Sequence, residues 1–596
     1  VYNVLTMANI INLFSRASFR LKQLYKACKL KKNAYAPTPL HNIWNTEISG
    51  SFLALKREFY GIFGCRIKLR DINWHIDSKS GYEWPIIPFY RQNFRKFFNK
   101  DIDIKFPWEV SRLYFLTDIA GQCLADEGGS GLEEYKRILL EWDRANPFLM
   151  GVNWFSTLDV AVRAVNIIIS SCIISPFLEK DNDFCQKLSV LLLKHMYYIA
   201  EFFEDIDNNH KISCLTGLLF LSLCLKDHPL SPRHFEKSRL GLIECMEKQV
   251  YEDGADYEGA LPYHRYVLEL FGYSAIICLS KNIDLGREFY KKLFKMFEYT
   301  SAYIDKRGNA PQIGDNDSGR VAIFLETGEH DHSYLFDIAE TIFDFKFPAR
   351  KRTFKQFLPK IQQKIRLKDL GLSPRDTQNS IAFEHMGAYM LKNSNFSVFI
   401  VCFPTLRVPS QHYHLDTGSF TLSYRGFQIA VDPGSYCYTS NVIMRKRFRS
   451  RLMHNIPATA LEYQNGPLPE SIWKMQLPYH NENICFEKNR ISFEIHGIDC
   501  MITRIIYLGD DNIIIRDSSE SDIVSLLHLH PGIKTIVEKD KASLAIEGAL
   551  EAKIASNSGI QIGEYEYSPG YGVKIPAERI IAGPGKEIEL IMSFSA

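Results

Sequence analysis

Along the first 360 residues, apolar side chains recur every three or four positions. Leu158, Val162, Val165 and Ile169 make one such face, and Ile212, Leu215, Leu219 and Leu223 another. That spacing is the period of an α-helix with one buried stripe. The helical segments follow one another across short polar breaks such as Asp181–Asp183 and Asp205–Asn209, with no repeat of fixed length. Long helices in series predict helical hairpins packed in an array or ring. From about residue 380 the period falls to two. Phe420, Leu422 and Tyr424 alternate, then Phe427, Ile429 and Val431, with Arg425-Gly426 between them; Ile491, Phe493 and Ile495 repeat the pattern. Alternation marks half-buried strands, and Arg425-Gly426 and Gly509-Asp510-Asp511 are hairpin turn signals. Dense strands with few helices among them predict an antiparallel sandwich. The switch falls between Lys364 and Ser380, where Leu372-Ser-Pro-Arg-Asp376 interrupts both patterns.

A chain of 596 residues exceeds what one hydrophobic core serves, which agrees with two or more domains. The net charge of +2 supplies no global field for nucleic acid, so an anionic substrate needs a local basic patch. The thirteen cysteines include no CxxC pair, and Cys172, Cys214 and Cys224 sit in apolar helical runs. They read as small buried hydrophobes in a reducing compartment rather than a disulfide framework. The apolar stretch Val4–Phe14 is broken by Asn9 and Asn12, lacks a preceding charged region and is followed by no small-residue cleavage site. It does not read as a signal peptide, and the chain as it stands reads as cytoplasmic. Arg16, Arg20, Lys22, Lys26, Lys29, Lys31 and Lys32 make a basic amphipathic segment, read as a solvated helix face. Ala164–Phe177, interrupted by Asn166 and Pro176, is too short to span a bilayer.

Several clusters carry possible chemistry. His412 and His414 precede a strand run, and on a strand residues i and i+2 face the same side, so both imidazoles would point together. Asp432 and His454 could complete with them a metal site or a site that handles protons. Asp207-Asn208-Asn209-His210 precedes an apolar helix and contains a helix cap, which does not by itself require His210. Tyr251–Asp256 leads to Glu258 and to Pro262-Tyr263-His264-Arg265-Tyr266, where the two tyrosines share a helix face. Gly314-Asp315-Asn316-Asp317-Ser318 mimics a calcium loop in composition but lacks the closing glutamate, and reads as a turn with Asx hydrogen bonds. Arginines alternating along Arg445–Arg451, if on a strand, would line one face and could grip carboxylates or sulfates.

In order along the chain, Trp108-Glu109 with Arg112, Trp142 with Asn146-Pro147, Gly151–Trp154, Asn208–His210, Tyr263–Tyr266, Gly314–Asp317, His412–Asp416, Asp432–Gly434 and His454-Asn455 resemble the heparinase II/III-like polysaccharide lyases, alginate lyases of similar build among them. The resemblance covers nearly the whole chain. It implies an incomplete α/α toroid over residues 101–375, an antiparallel β-sandwich over 376–596, and a helical or irregular extension over 1–100 packed on the toroid. It also implies β-elimination at a uronic acid. Asn209 would neutralise the uronate carboxylate, His210 and His412 would assist as donors or bases, and Tyr263 would protonate the leaving O4, and would also serve as base if a positive neighbour lowers its pKa, being the first tyrosine of the family's Tyr-x-x-Tyr pattern; Tyr266 is its alternative. Substrate contacts are expected from Trp154, Glu258, Arg265 and Tyr266, with Arg447 and Arg449 from the basic stretch. His414, Asp432 and His454 match the family's metal positions, an N,O set that suits a largely structural zinc.

The implied partner is an acidic polysaccharide, whether glycosaminoglycan, alginate or a uronate-bearing capsule or exopolysaccharide. No nucleic acid and no transmembrane segment are expected, and the family leaves room for a homodimer and for a periplasmic or secreted location. Two other readings stand beside this one. A glycoside hydrolase on a toroid scaffold would need two carboxylates across a cleft, for which Asp256 and Glu258 are the candidates. A non-catalytic glycan-binding or assembly protein would not need the intact Asn-His, Tyr and His positions.

Overall fold

The structure is a computed structural model describing residues 20–595 except 32–34, 45, 47–57, 349–352, 404–411, 467, 470, 474–478, 498–499, 547 and 549. The Val4–Phe14 stretch, Arg16 and Lys32 lie outside the described residues. Residues 20–31 form the basic helix. It buries Ala27 and Leu30 and docks Lys26 and Lys29 on Glu201, at 2.6 Å from the carbonyl and 2.8 Å from the carboxylate.

The helical region runs from Lys105–Ser111 to Leu335–Ile342. Its long members are Ser130–Ala145, Thr157–Ile173, Asn182–Glu201, Asn209–Cys224, Ser231–Gln249, Leu261–Ser280 and Arg287–Tyr303. Their starts follow local chemistry. Ser156, Asp181 and Asn208 each accept a hydrogen bond from an otherwise orphan amide of the first turn, those of Asp159, Phe184 and His210. Thr157–Ile173 is buried on every side, as an inner helix of a ring must be. It packs closely on Asn209–Cys224 because Gly217 presents no side chain; a Cβ there would lie 2.7 Å from the Cβ of Ala161.

The strand region holds two antiparallel sheets. One is a meander of Ile381–Phe383, Ala388–Lys392, Phe396–Val401, Phe420–Tyr424 and Phe427–Ala430. The other has ten strands, with Val573–Ser595 and Asn512–His528 at its centre and His480–Phe486 at one edge. Val398, Phe420 and Leu422 of the first and Ile491, Phe493, Ile513 and Ile580 of the second share one core, so the sheets close as a sandwich. The turn at Arg425-Gly426 takes φ values of 50° and 83°. Positive φ at both positions is what a two-residue hairpin turn demands.

Two local expectations are corrected. Residues 412–419 are not a strand. The basic stretch is not one either: Val442–Phe448 is a short helix, started by Asn441, whose side chain accepts from the Met444 amide at 3.0 Å. Met, Arg and Lys are good helix formers, and with the cap they outweigh the alternating charge pattern.

The helical and strand regions meet along the loop 312–320. Gln312 Nε2 donates to the Ser568 carbonyl at 2.9 Å, and Asn316 and Ser435 exchange two hydrogen bonds of 2.9 Å. Tyr413 rests on Gly259, where a Cβ would fall 1.8 Å from its ring. Only a glycine, here at φ 82°, admits that approach.

Candidate active site

Helix Leu261–Ser280 carries Pro262 in its first turn, where a missing N–H costs nothing. Tyr263 follows, and its hydroxyl lies 2.7 Å from the hydroxyl of Tyr438, which comes from the strand region. The His412 imidazole stacks on the Tyr263 ring, with centroids 3.6 Å apart and planes 20° apart. Burial, then Asp317, Tyr438 and Asp315, push the Tyr263 phenol well above its ordinary range, so it keeps its proton at neutral pH.

Asp315 holds His412 in place. Its Oδ2 accepts from His412 Nδ1 and its Oδ1 from His414 Nε2, both at 2.9 Å. Arg445 donates to both oxygens, through Nη1 and, at 2.6 Å, through Nη2. Burial alone would raise the Asp315 carboxyl, but Arg445 and the two imidazole bonds hold it well below the usual carboxylate range. An ionised carboxylate only accepts, so the imidazole nitrogens facing it carry the protons. In a neutral imidazole the lone pair then sits on Nε2 of His412 and on Nδ1 of His414. The two imidazoles do point together, through this shared carboxylate and not through strand alternation.

Glu258 joins Asn209 to the same group. The Asn209 side-chain amide donates to its two oxygens at 3.1 and 2.9 Å, the Asn209 backbone N–H reaches it at 3.2 Å, and His412 Nε2 lies 3.6 Å away. The helix cap is Asn208, which leaves the Asn209 side chain for Glu258. His210 is the most open of the four, its side chain 41% exposed, with Nδ1 against Glu204. Burial lowers its pKa, but Glu204 outweighs this and the net shift is upward. Asp256 and Glu258 do not face each other across a cleft: Asp256 Oδ2 accepts from the Glu258 amide at 3.2 Å, within one turn.

His414, Asp432 and His454 converge, with one potential ligand atom from each lying within 4.8 Å of the others. His454 Nδ1 is 2.7 Å from Asp432 Oδ2. Two features fit a cation. His414 Nδ1, His454 Nε2 and both oxygens of Asp416 are buried without a hydrogen-bond partner. Burial, opposed by His454 and reinforced by Asp432, pushes Asp416 up to about 7. Unpaired carboxylate and imidazole atoms in a dry interior are costly, and a tetrahedral N,O-liganded ion such as zinc would remove that cost.

The other expected contacts divide. Tyr266 donates to or accepts from Ser213 at 2.8 Å, one helical turn from Tyr263. Arg265 is bound to the carbonyls of Glu329 and Gly319 and lines a separate cavity of about 360 Å³, which Tyr571 borders. Trp154 is a core residue: it is fully buried among Trp142, Phe148, His195 and Tyr198, with Nε1 on the Asn146 carbonyl. Arg449 is also fully buried, donating to the carbonyls of Tyr413 at 2.9 Å and Ile472 at 2.7 Å. Arg447 is half exposed and lies 3.7 Å from Glu566. Neither Trp154 nor Arg449 offers a sugar a free face.

Sequence reasoning missed Tyr438, Arg445 and the reach of Asp315. The Asx bonds expected around Asp315 are present, from Ser318 to Asn316 and from Gly319 to Asp317, each 2.9 Å. The same loop also sends Asp315 to the histidines and Asp317 to Lys105 at 2.7 Å. Asp416 was legible as the third member of the i, i+2, i+4 series 412, 414, 416.

No curated protein matches the chain by sequence. A crystal structure titled heparinase III superposes with a TM-score of 0.60 at 14% identity, covering 95% of this chain and 88% of that one. Heparan sulfate lyase HepC from Pedobacter heparinus gives 0.53 at 16% identity, covering 83% and 79%. Chondroitin AC lyase from Streptomyces coelicolor A3 gives 0.50 at 9% identity, covering 83% and 75%. These likenesses establish the toroid-plus-sandwich fold. The profile of the heparinase II/III N-terminus matches residues 17–328, more than half the chain, and that of the heparinase II/III-like C-terminal region matches 375–456. The chain therefore belongs to the heparinase II/III family.

Proposed function

We propose that this protein is a polysaccharide lyase that cleaves a uronate-containing acidic polysaccharide by β-elimination. The observation that carries the reading is the Tyr263–His412 stack, with the tyrosine held protonated and the histidine's Nδ1–H pinned by Asp315. In the reaction the C5–H and C4–O4 bonds break and a C4=C5 double bond forms; no water is added. His412 Nε2 takes the C5 proton. Tyr263 gives its proton to O4, with Tyr438 next in line at 2.7 Å. Asn209 and His210 lie on the adjacent helix start, where they would hydrogen-bond the uronate carboxylate and lower the cost of the developing enolate.

Because the two rings stack face to face, base and acid reach the sugar from one side. That suits a uronate whose H5 and O4 leave from the same face, as in the gluco configuration. An ion held by His414, Asp432 and His454 would fix His414, and through Asp315 the position of His412. When bound it supplies structural charge compensation.

The test is Tyr263→Phe assayed by the ultraviolet absorbance of the unsaturated uronate, on a panel of acidic polysaccharides. The variant keeps the ring stack and loses only the hydroxyl, so turnover should fall by roughly a hundredfold or more, the scale of a lost general acid. Near-full turnover would remove Tyr263 from the acid role. New reducing ends without new absorbance would replace elimination by hydrolysis.

A further inference from the structure

The strands His480–Phe486 and Arg490–His496 form the outer hairpin of the ten-stranded sheet. Their sequences contain His480-Asn-Glu482 and Glu494-Ile-His496. Strand alternation puts the histidine and glutamate of each on one face. The antiparallel register sets His480 directly opposite His496, and Glu482 directly opposite Glu494. The four side chains thus form a square on the sheet surface. The imidazoles stack with centroids 5.2 Å apart and planes 15° apart.

Two observations fit a bound cation. Like charges directly opposite one another on a sheet are destabilising. Among the described residues, the salt-bridge partners of Glu482 and Glu494 are these two histidines, and Glu494 also accepts from the Asn483 side-chain amide at 2.9 Å. The second is spacing. His480 Nε2 lies 3.1 Å from Glu482 Oε1, and His496 Nε2 lies 3.7 Å from Glu482 Oε2 and 3.0 Å from Glu494 Oε2. Two ligands of a tetrahedral ion with bonds near 2.1 Å stand about 3.4 Å apart, inside that range. One potential ligand atom each from His480, Glu482 and His496 already lies within 4.8 Å of the others. The side chains are a quarter to a half exposed, so an ion enters from solvent without opening the fold.

We propose that this His-x-Glu/Glu-x-His square is a second, surface metal site, separate from the buried His414–Asp432–His454 group. Two imidazoles with carboxylates select a borderline divalent ion, zinc before calcium or magnesium. The ion would cancel the facing carboxylates and tie the edge strand to its neighbour.

Equilibrium dialysis of the metal-stripped full chain against Zn²⁺, with elemental analysis, tests this. His480→Ala/His496→Ala should bind one zinc fewer per chain than the wild type, with unchanged circular dichroism. A second measurement needs no variant: carbethoxylation of His480 and His496 by diethyl pyrocarbonate, read by peptide mass spectrometry, should be suppressed by Zn²⁺. Equal zinc stoichiometry in the folded double variant overturns the proposal. So does labelling of both histidines that is indifferent to saturating Zn²⁺, which decides the matter if the double variant fails to fold.

Discussion

Asp315→Asn separates the positioning of His412 from the chemistry of Tyr263. The carboxylate accepts two imidazole bonds of 2.9 Å and a two-pronged contact from Arg445, all fully buried except His412, which is 6% exposed. An amide keeps the shape but replaces one acceptor oxygen with a donor. One histidine then loses its partner or turns to the wrong tautomer. A hydrogen bond to a charged group contributes about 1.5–3 kcal/mol, so losing the one that orients His412 should lower kcat by roughly ten- to a hundredfold. Arg445 is also left without its counter-charge. Among the described residues it keeps the Ile472 carbonyl at 3.3 Å and the rings of Tyr438 at 4.6 Å and Trp473 at 5.7 Å. Breaking a buried ion pair this way costs about 3–5 kcal/mol of stability. The assays are urea unfolding at neutral pH and the pH profile of kcat by ultraviolet absorbance. A positioning role should move the acid limb of that profile, which the base His412 sets, as well as its height. A folded variant with wild-type kcat and an unshifted profile would refute the idea that Asp315 sets His412.

Three further outcomes follow from other residues. Arg447→Ala should change stability by less than about 0.5 kcal/mol, as exposed pairs do, whereas Arg449→Ala removes two buried carbonyl contacts and should destabilise measurably; equal effects in urea unfolding would contradict these placements. Purified protein should carry an ion that His454→Ala releases, and the loss should lower stability by on the order of 3 kcal/mol as buried carboxylates go uncompensated; elemental analysis finding no metal, with a chelator without effect, would contradict this. His264 accepts from the Asp256 amide at 3.2 Å, and burial lowers its pKa from 6.5 to about 3. The unfolded chain therefore takes the proton first, so this residue's stabilisation is complete above 6.5 and falls by about 1.4 kcal/mol per pH unit below it. His264→Gln should flatten the acid limb of the urea midpoint between pH 7 and 5; an unchanged slope would sink the assignment.

Much of the architecture was legible along the chain. Hydrophobic period separates helix from strand because each element buries one face at its own repeat, and this located the helices carrying Leu158 and Ile212 and the hairpin at Arg425-Gly426. The ordered motifs were enough to name the family, which the two profile matches over residues 17–328 and 375–456 bear out. Short segments were less legible. Arg445–Arg451 has strand-like charge alternation, yet a capping Asn441 makes it helical and turns Arg445 and Arg449 inward.

The chain alone determined which residues could do chemistry: Asn209, His210, Tyr263 and His412 are all visible as types in context. Only the tertiary structure decided which of them meet and through what. Asp315 lies 97 residues from His412 and 130 from Arg445, and Tyr438 lies 175 from Tyr263. No local period or spacing encodes contacts of that range. They form because the helical region and the sandwich bury their facing surfaces together, and charges enclosed there are tolerated only when each finds its partner.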